Sequence, residues 1–206
     1  SSQQQVVRYD YESAIEINSN SQASIISIVK EIVNNYDVIL LSDYGKGVLT
    51  PSLTKSLISI ANESKKKLLV DPKGTDYSKY KGAYLLTPNK KEASEATDIN
   101  IIDDKSLAQA MLYLKKQCDL SISLITLSED GVAVFDDNLR IHPTVAREIY
   151  DVTGAGDTVL ASIGFALSLD YDIDKSIKFA NLAAGVVIGK IGSATASLDE
   201  IIKYES

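Results

Sequence analysis

Short apolar runs alternate with amphipathic stretches along most of the chain. The runs "VILLS" from Val38, "KLLV" from Lys67, "AYLL" from Ala83 and "SLIT" from Ser123 each lead into polar or glycine residues. Runs this short and this uniformly apolar predict strands buried on both faces. Between them lie stretches with helical spacing: "ASIISIVKEIV" (23–33), "TPSLTKSLISIANES" (50–64), Lys90–Thr97 and Lys105–Cys118. Thr50 stands as an N-cap, with Pro51 at the first helical position. The alternation predicts βαβ units, and so an α/β fold with a mostly parallel sheet flanked by helices. "GVAVFDDNLRIHPT" (131–144) predicts a hairpin turning near Asp137 and Asn138. The last third predicts helices over Gly156–Leu169, Ile173–Gly189 and Leu198–Tyr204. The opening segment, "QQQVVRYDYESAIEI" within residues 1–17, predicts an exposed edge strand. No repeat, low-complexity tract or linker divides residues 1–206, which predicts a single domain.

Ligands of open parallel sheets bind beyond the carboxyl ends of the strands. Those ends are Asp43–Gly47, Asp71–Gly74, Thr87–Asn89 and Thr126–Glu129. Polar clusters thus fall on one rim.

Composition narrows the chemistry. The chain has 206 residues, 45% of them hydrophobic, enough for a sizeable core. Its net charge is -7 and it has no long basic run; "ESKKK" (63–67) reads as a solvated helix running into a strand. Nucleic acid and anionic membranes are therefore not expected partners. One cysteine, Cys118, and one histidine, His142, exclude an internal disulfide and argue against structural zinc. His142 reads as a hairpin residue without a catalytic role. No apolar run reaches transmembrane length, and the expectation is a cytoplasmic protein. The chain opens on Ser1 without an initiator methionine, as a sequence starting mid-protein would.

The stretch "DVTGAGDT" (151–158) carries the clearest chemistry. If Gly154, Ala155 and Gly156 open a helix, their N–H groups lack intrahelical partners and converge on one spot. The helix dipole favours negative charge there, and the small side chains admit a phosphate to the backbone. Asp157 would stand beside this anion hole as a carboxylate able to take a proton from an attacking hydroxyl. That combination suits phosphoryl transfer. A plain glycine turn with a helix-capping Asp is the bland alternative.

Asn89 and Glu92 in "TPNKKE" lie three apart and can face one site, holding Mg²⁺ through waters. They equally fit a capping box. Lys73 in "DPKG" is a candidate cation for nucleotide phosphates, or a solvated turn lysine. Thr126, Ser128 and Gly131 in "TLSEDG" suit ribose or phosphate contacts, or an ordinary turn. Asn181 in "FANLAAGVV" either borders an adenine or donates its amide to a loop. Lys46 in "DYGKG" is a candidate for a substrate phosphate or a turn lysine.

"DVTGAGDT", "TPNKKE" and "TLSEDG" resemble motifs of the ribokinase-like (PfkB) sugar kinases. Within that family, "LSDYGKGVL", "VDPKGTDYSKYKGAYLLTPN" and "FANLAAGVVIGKIGSATAS" resemble the bacterial D-glycero-β-D-manno-heptose 7-phosphate kinases. The resemblance covers essentially the whole chain. It implies ATP-dependent phosphorylation of an anomeric hydroxyl, on the route to ADP-heptose for lipopolysaccharide core. Asp157 matches the base and Gly154–Gly156 the anion hole. Asn89 and Glu92 match the magnesium motif, and Lys73 and Thr126 match nucleotide contacts. Asp151 and Thr153 match residues lining a monovalent-cation site, which would hold K⁺. The resemblance also implies a homodimer, paired through lid strands to which residues 1–17 would belong. Members carry a substantial portion before the matched region, with the first strands of the sheet and a sugar-binding motif. The chain thus resembles the C-terminal part of the fold. Sugar choice rests mainly outside it, so kinases of fructose, ribose or adenosine remain alternatives. A nucleotide-binding module without turnover is the alternative from another class.

Overall fold

The computed structural model describes residues 7, 9, 11–145 and 154–205. A first helix, α1 (Ser19–Ile32), begins before the apolar spacing predicts, because the Asn18 side chain accepts from Ser21 N–H (2.9 Å) and caps it there. Then follow β1 (Val38–Ser42), α2 (Pro51–Glu63), β2 (Lys67–Asp71), β3 (Leu85–Leu86), α3 (Lys90–Thr97), α4 (Asp104–Gln117) and β4 (Ser123–Thr126). The predicted hairpin is β5 (Val132–Phe135) with β6 (Leu139–His142). Three helices close the chain: α5 (Ala155–Ser168), α6 (Ile173–Ile188) and α7 (Leu198–Glu205). Thr50 Oγ1 accepts from Leu53 N–H (3.1 Å), as a cap ahead of Pro51 should.

β1, β2 and β3 pair in parallel, while β4, β5 and β6 pair antiparallel. The two groups meet along β3 and β4. There Ile122 N–H donates to Tyr84 O (3.1 Å), Thr126 N–H to Pro88 O (3.0 Å), and Asn89 bridges Thr126 in parallel. The first four strands therefore point the same way, and their carboxyl ends share one rim.

Strand alternation divides the core between two faces. Leu68 and Val70 of β2 join Leu53, Leu57 and Ala61 of α2 and Met111 and Leu114 of α4. Leu69, between them, joins Leu85 and, from α5 and α6, Leu160, Ile163 and Ile177 on the other face. Burying each such leucine contributes about 1.5–3 kcal/mol. β2 is thus buried on both faces as its apolar run predicts. β1 is not: only Leu41 is buried, since β1 pairs with β2 alone among the described strands. Cys118 lies in the core, where burial pushes its thiol up to about 11.

The expected edge strand is not present in its described part. Residues 7, 9 and 11–17 form no strand, and the remainder of that segment lies outside the described residues. A strand exists only as half of a ladder; here Ile17 N–H donates to Gly47 O (2.9 Å), and among the described residues no ladder follows. Among the described residues no helix is long and apolar enough to cross a membrane.

Candidate active site

The rim gathers loops that are far apart in sequence. Strand alternation at the end of β1 sends Asp43 one way and Ser42 and Tyr44 the other. Asp43 turns inward and is 5% exposed. It accepts from Lys79 Nζ (2.6 Å), Tyr80 OH (2.7 Å) and Gly45 N–H (2.7 Å). Burial alone would raise its pKa, but these donors hold its carboxyl below the usual range. Tyr80 OH also accepts from Lys73 N–H (3.0 Å), so the loops after β1 and β2 share one anchor.

On the other side, Asp157 stands in the first turn of α5. Gly154 caps that helix at φ +79, a left-handed conformation that favours glycine. The N–H groups of Ala155, Gly156 and Asp157 find no acceptor among the described residues, and a Cβ at Gly156 would meet only open space. Such an end holds an anion readily. Tyr44 OH lies 3.3 and 3.4 Å from the two Asp157 carboxylate oxygens, and Ser42 Oγ lies 3.4 Å from one. Asp151 and Thr153, the expected cation-site residues, lie outside the described residues.

The third edge of the rim is the α3 start. Asn89 and Glu92 form a full capping box: Glu92 N–H donates to Asn89 Oδ1 (2.9 Å), and Asn89 N–H to Glu92 Oε2 (3.0 Å). Glu92 Oε1 also receives Lys73 Nζ (3.2 Å). Lys73, Asn89 and Glu92 are therefore brought together, and Thr126 joins them by its pairing with Asn89. Among the described residues no three His, Cys, Asp or Glu side chains converge as direct metal ligands. A divalent cation at Glu92 would be met through water, which suits Mg²⁺.

Asp71, at the end of β2, was not singled out by its local sequence. Burial, then the nearby charges of Glu92 and Asp157, push its carboxyl up to about 6, against the Thr87 hydroxyl bond (3.3 Å) and the charge of Lys73. Asp71 thus couples the Glu92 and Asp157 sides of the rim. Its only sequence signal, shared with Ser42 and Tyr44, is a place at a strand's carboxyl end.

Ser128 and Gly131 form a tight turn after β4. Gly131 sits at φ +95, and a Cβ there would run into the His142 carbonyl oxygen. Its steric role is therefore visible without a ligand. Asn181 donates its amide to the carbonyls of His142 (3.1 Å) and Pro143 (3.0 Å), the loop-donor alternative. It also borders a cleft lined by His142, Pro143, Leu182 and Tyr204. His142 Nε2 pairs with Asp174 (2.7 Å). Lys46 is paired with Glu12.

Comparison with known proteins gives this geometry a context. Residues 3–201 match the family described as pfkB family carbohydrate kinase. The chain is 64% identical, over its full length, to the bifunctional protein HldE of Aliarcobacter butzleri, and 59% identical over 98% of its length to that of Sulfurimonas denitrificans. It spans 43% of each of these curated relatives. An Arabidopsis thaliana ribokinase complexed with ribose and ATP superposes on 92% of the chain with a TM-score of 0.77 at 20% identity, covering 59% of that structure. Phosphofructokinase-2 from Escherichia coli in complex with potassium does so on 92% of the chain with 0.80 at 19%, covering 63%. Those two likenesses establish the ribokinase-like fold.

Proposed function

The chain belongs to the pfkB family of carbohydrate kinases, and from that premise we propose that it serves ATP-dependent phosphorylation of the anomeric hydroxyl of D-glycero-β-D-manno-heptose 7-phosphate. The product is the 1,7-bisphosphate. The observation that carries this reading is Asp157 in the first turn of α5, beside N–H groups without acceptors among the described residues. Identity of 64% to a bifunctional HldE supports the heptose among the sugars this family phosphorylates.

In this mechanism Asp157 takes the proton of the acceptor hydroxyl. The hydroxyl oxygen then bonds to the γ-phosphorus while the bond to the β,γ-bridging oxygen breaks, releasing ADP. The N–H groups at the start of α5 stabilise the charge on the moving phosphoryl group without reorganising. Lys73 faces the nucleotide phosphates. Asn89 and Glu92 would hold Mg²⁺ through water, and the ion would supply charge neutralisation for the phosphates. Thr126, Ser128, Gly131 and Asn181 belong to the nucleotide side, and Asp151 and Thr153 to a K⁺ site. The protein acts as a homodimer in the cytoplasm.

The test is ADP release from Mg·ATP with the heptose phosphate, set against fructose, ribose and fructose 6-phosphate. Turnover with the heptose phosphate alone is expected. Asp157→Asn should lower it about a thousandfold while Mg·ATP binding stays. Full activity in that variant would remove Asp157 as base, and preference for another sugar would overturn the heptose assignment.

A further inference from the structure

Two side chains beside the base are unexplained by packing. Tyr44 is 62% exposed, yet its phenol lies 3.3 and 3.4 Å from the two oxygens of Asp157. Ser42 Oγ lies 3.4 Å from one of the same oxygens. Three features of the fold put them there. Asp43, between them, is buried against Lys79 and Tyr80, which fixes the strand end and turns both neighbours to the α5 side. Gly45 and Gly47, at φ +66 and +83, then reverse the chain so that Tyr44 stays at the rim. Finally, α5 lies close along β1: a Cβ at Gly164 would come within 2.8 Å of Leu40 Cδ2. Leu40, Ser42 and Tyr44 share one face of the strand, and Asp157 lies two turns before Gly164 on the helix, so the same seam carries both contacts.

We propose that Ser42 and Tyr44 are positioning residues for the base. Ser42 holds one carboxylate oxygen of Asp157, and the Tyr44 phenol spans both until the acceptor hydroxyl replaces it on one. This rests on the reading of Asp157 as base. The proton of the acceptor hydroxyl passes to the oxygen that Tyr44 releases, while Ser42 keeps the carboxylate plane. Distances of 3.3–3.4 Å are long for O–H···O bonds; contacts of this kind tighten once substrate closes the site. The solvent-facing ring also explains how the phenol leaves without disturbing the core.

The test uses the intact protein with Mg·ATP and the heptose phosphate. Tyr44→Phe keeps the ring and removes only the hydroxyl; Ser42→Ala removes the other donor, and Ser42→Thr retains it. Losing a hydrogen bond to a charged group lowers kcat by about 10- to 100-fold. That drop is expected for Tyr44→Phe and Ser42→Ala, with KM for Mg·ATP unchanged and Ser42→Thr close to the parent. In ligand-free crystals of the double variant Tyr44→Phe/Ser42→Ala, the Asp157 carboxylate is expected to lose its single orientation. An unchanged orientation there overturns the proposal whatever the turnover. So does a double variant whose kcat stays within about twofold of the parent while Asp157→Asn abolishes turnover; the base would then stand without its positioning pair. Parental turnover in Asp157→Asn would instead sink the base and this inference together.

Discussion

Asp71 offers the sharpest energetic test of the rim. Its carboxyl stands half-buried at the end of β2, pushed from the usual 3.8 up to about 6 by burial and by the charges of Glu92 and Asp157. A carboxyl raised by folding contributes stability that is fully present below pH 3.8 and is lost as pH rises through about 6. At pH 8 the folded state therefore carries a disfavoured charge. The rise, at about 1.4 kcal/mol per tenfold, sets a ceiling of about 3 kcal/mol. Asp71 faces the rim, so solvent screening brings the figure down to about 1–2 kcal/mol. Asp71→Asn keeps an oxygen for the Thr87 hydroxyl and removes the charge. We expect the variant to melt about 2–8 °C above the parent at pH 8. The two curves should converge as pH falls toward 4. Thermal unfolding followed by circular dichroism across pH 4–8 measures this. A variant with the same melting temperature as the parent at pH 8, or a gain that does not shrink in acid, would refute the electrostatic account of this rim.

Other perturbations follow from named contacts. Gly131→Ala forces a side chain at φ +95 against the His142–Thr144 backbone; urea unfolding should show a loss of about 2–6 kcal/mol, and an unchanged midpoint would contradict the close approach. Lys79→Met leaves the buried Asp43 carboxylate without its cation, a loss of about 3–5 kcal/mol at neutral pH. Because folding lowers the Asp43 carboxyl, that loss should fade as pH falls below 3.8; a pH-independent loss would point to packing instead. The kinetic outcomes for Asp157→Asn and for the Ser42 and Tyr44 variants complete the set.

Local chemistry made much of the molecule legible. Short apolar runs marked β1 to β4; for β2, β3 and β4 the reason is that a strand buried on both faces leaves little room for polar residues. Thr50, Asn89 and the glycine ahead of Ala155 marked helix starts, because a cap is satisfied within three or four residues of chain. The same locality made the glycine-led start of α5, with Asp157 in its first turn, readable. The described part of residues 1–17 forms no strand, because β-rich composition cannot by itself supply the partner in space that a strand needs.

What the sequence by itself determined is therefore the order of elements, the strand ends that carry the site, and the helix start that can hold a phosphate. Tertiary structure alone decided which groups meet there. Ser42 and Asp157 lie 115 residues apart and come within 3.4 Å because α5 packs along β1, where Gly164 faces Leu40. Asp71 became a weak acid only when burial removed its water and folding placed Glu92 and Asp157 nearby. Lys73 met Glu92, and Asn181 found the His142 carbonyl, through the same long-range packing. Capping and periodicity act within a turn or two of chain. Desolvation and through-space charge depend on distances that exist only once the sheet and its helices are assembled.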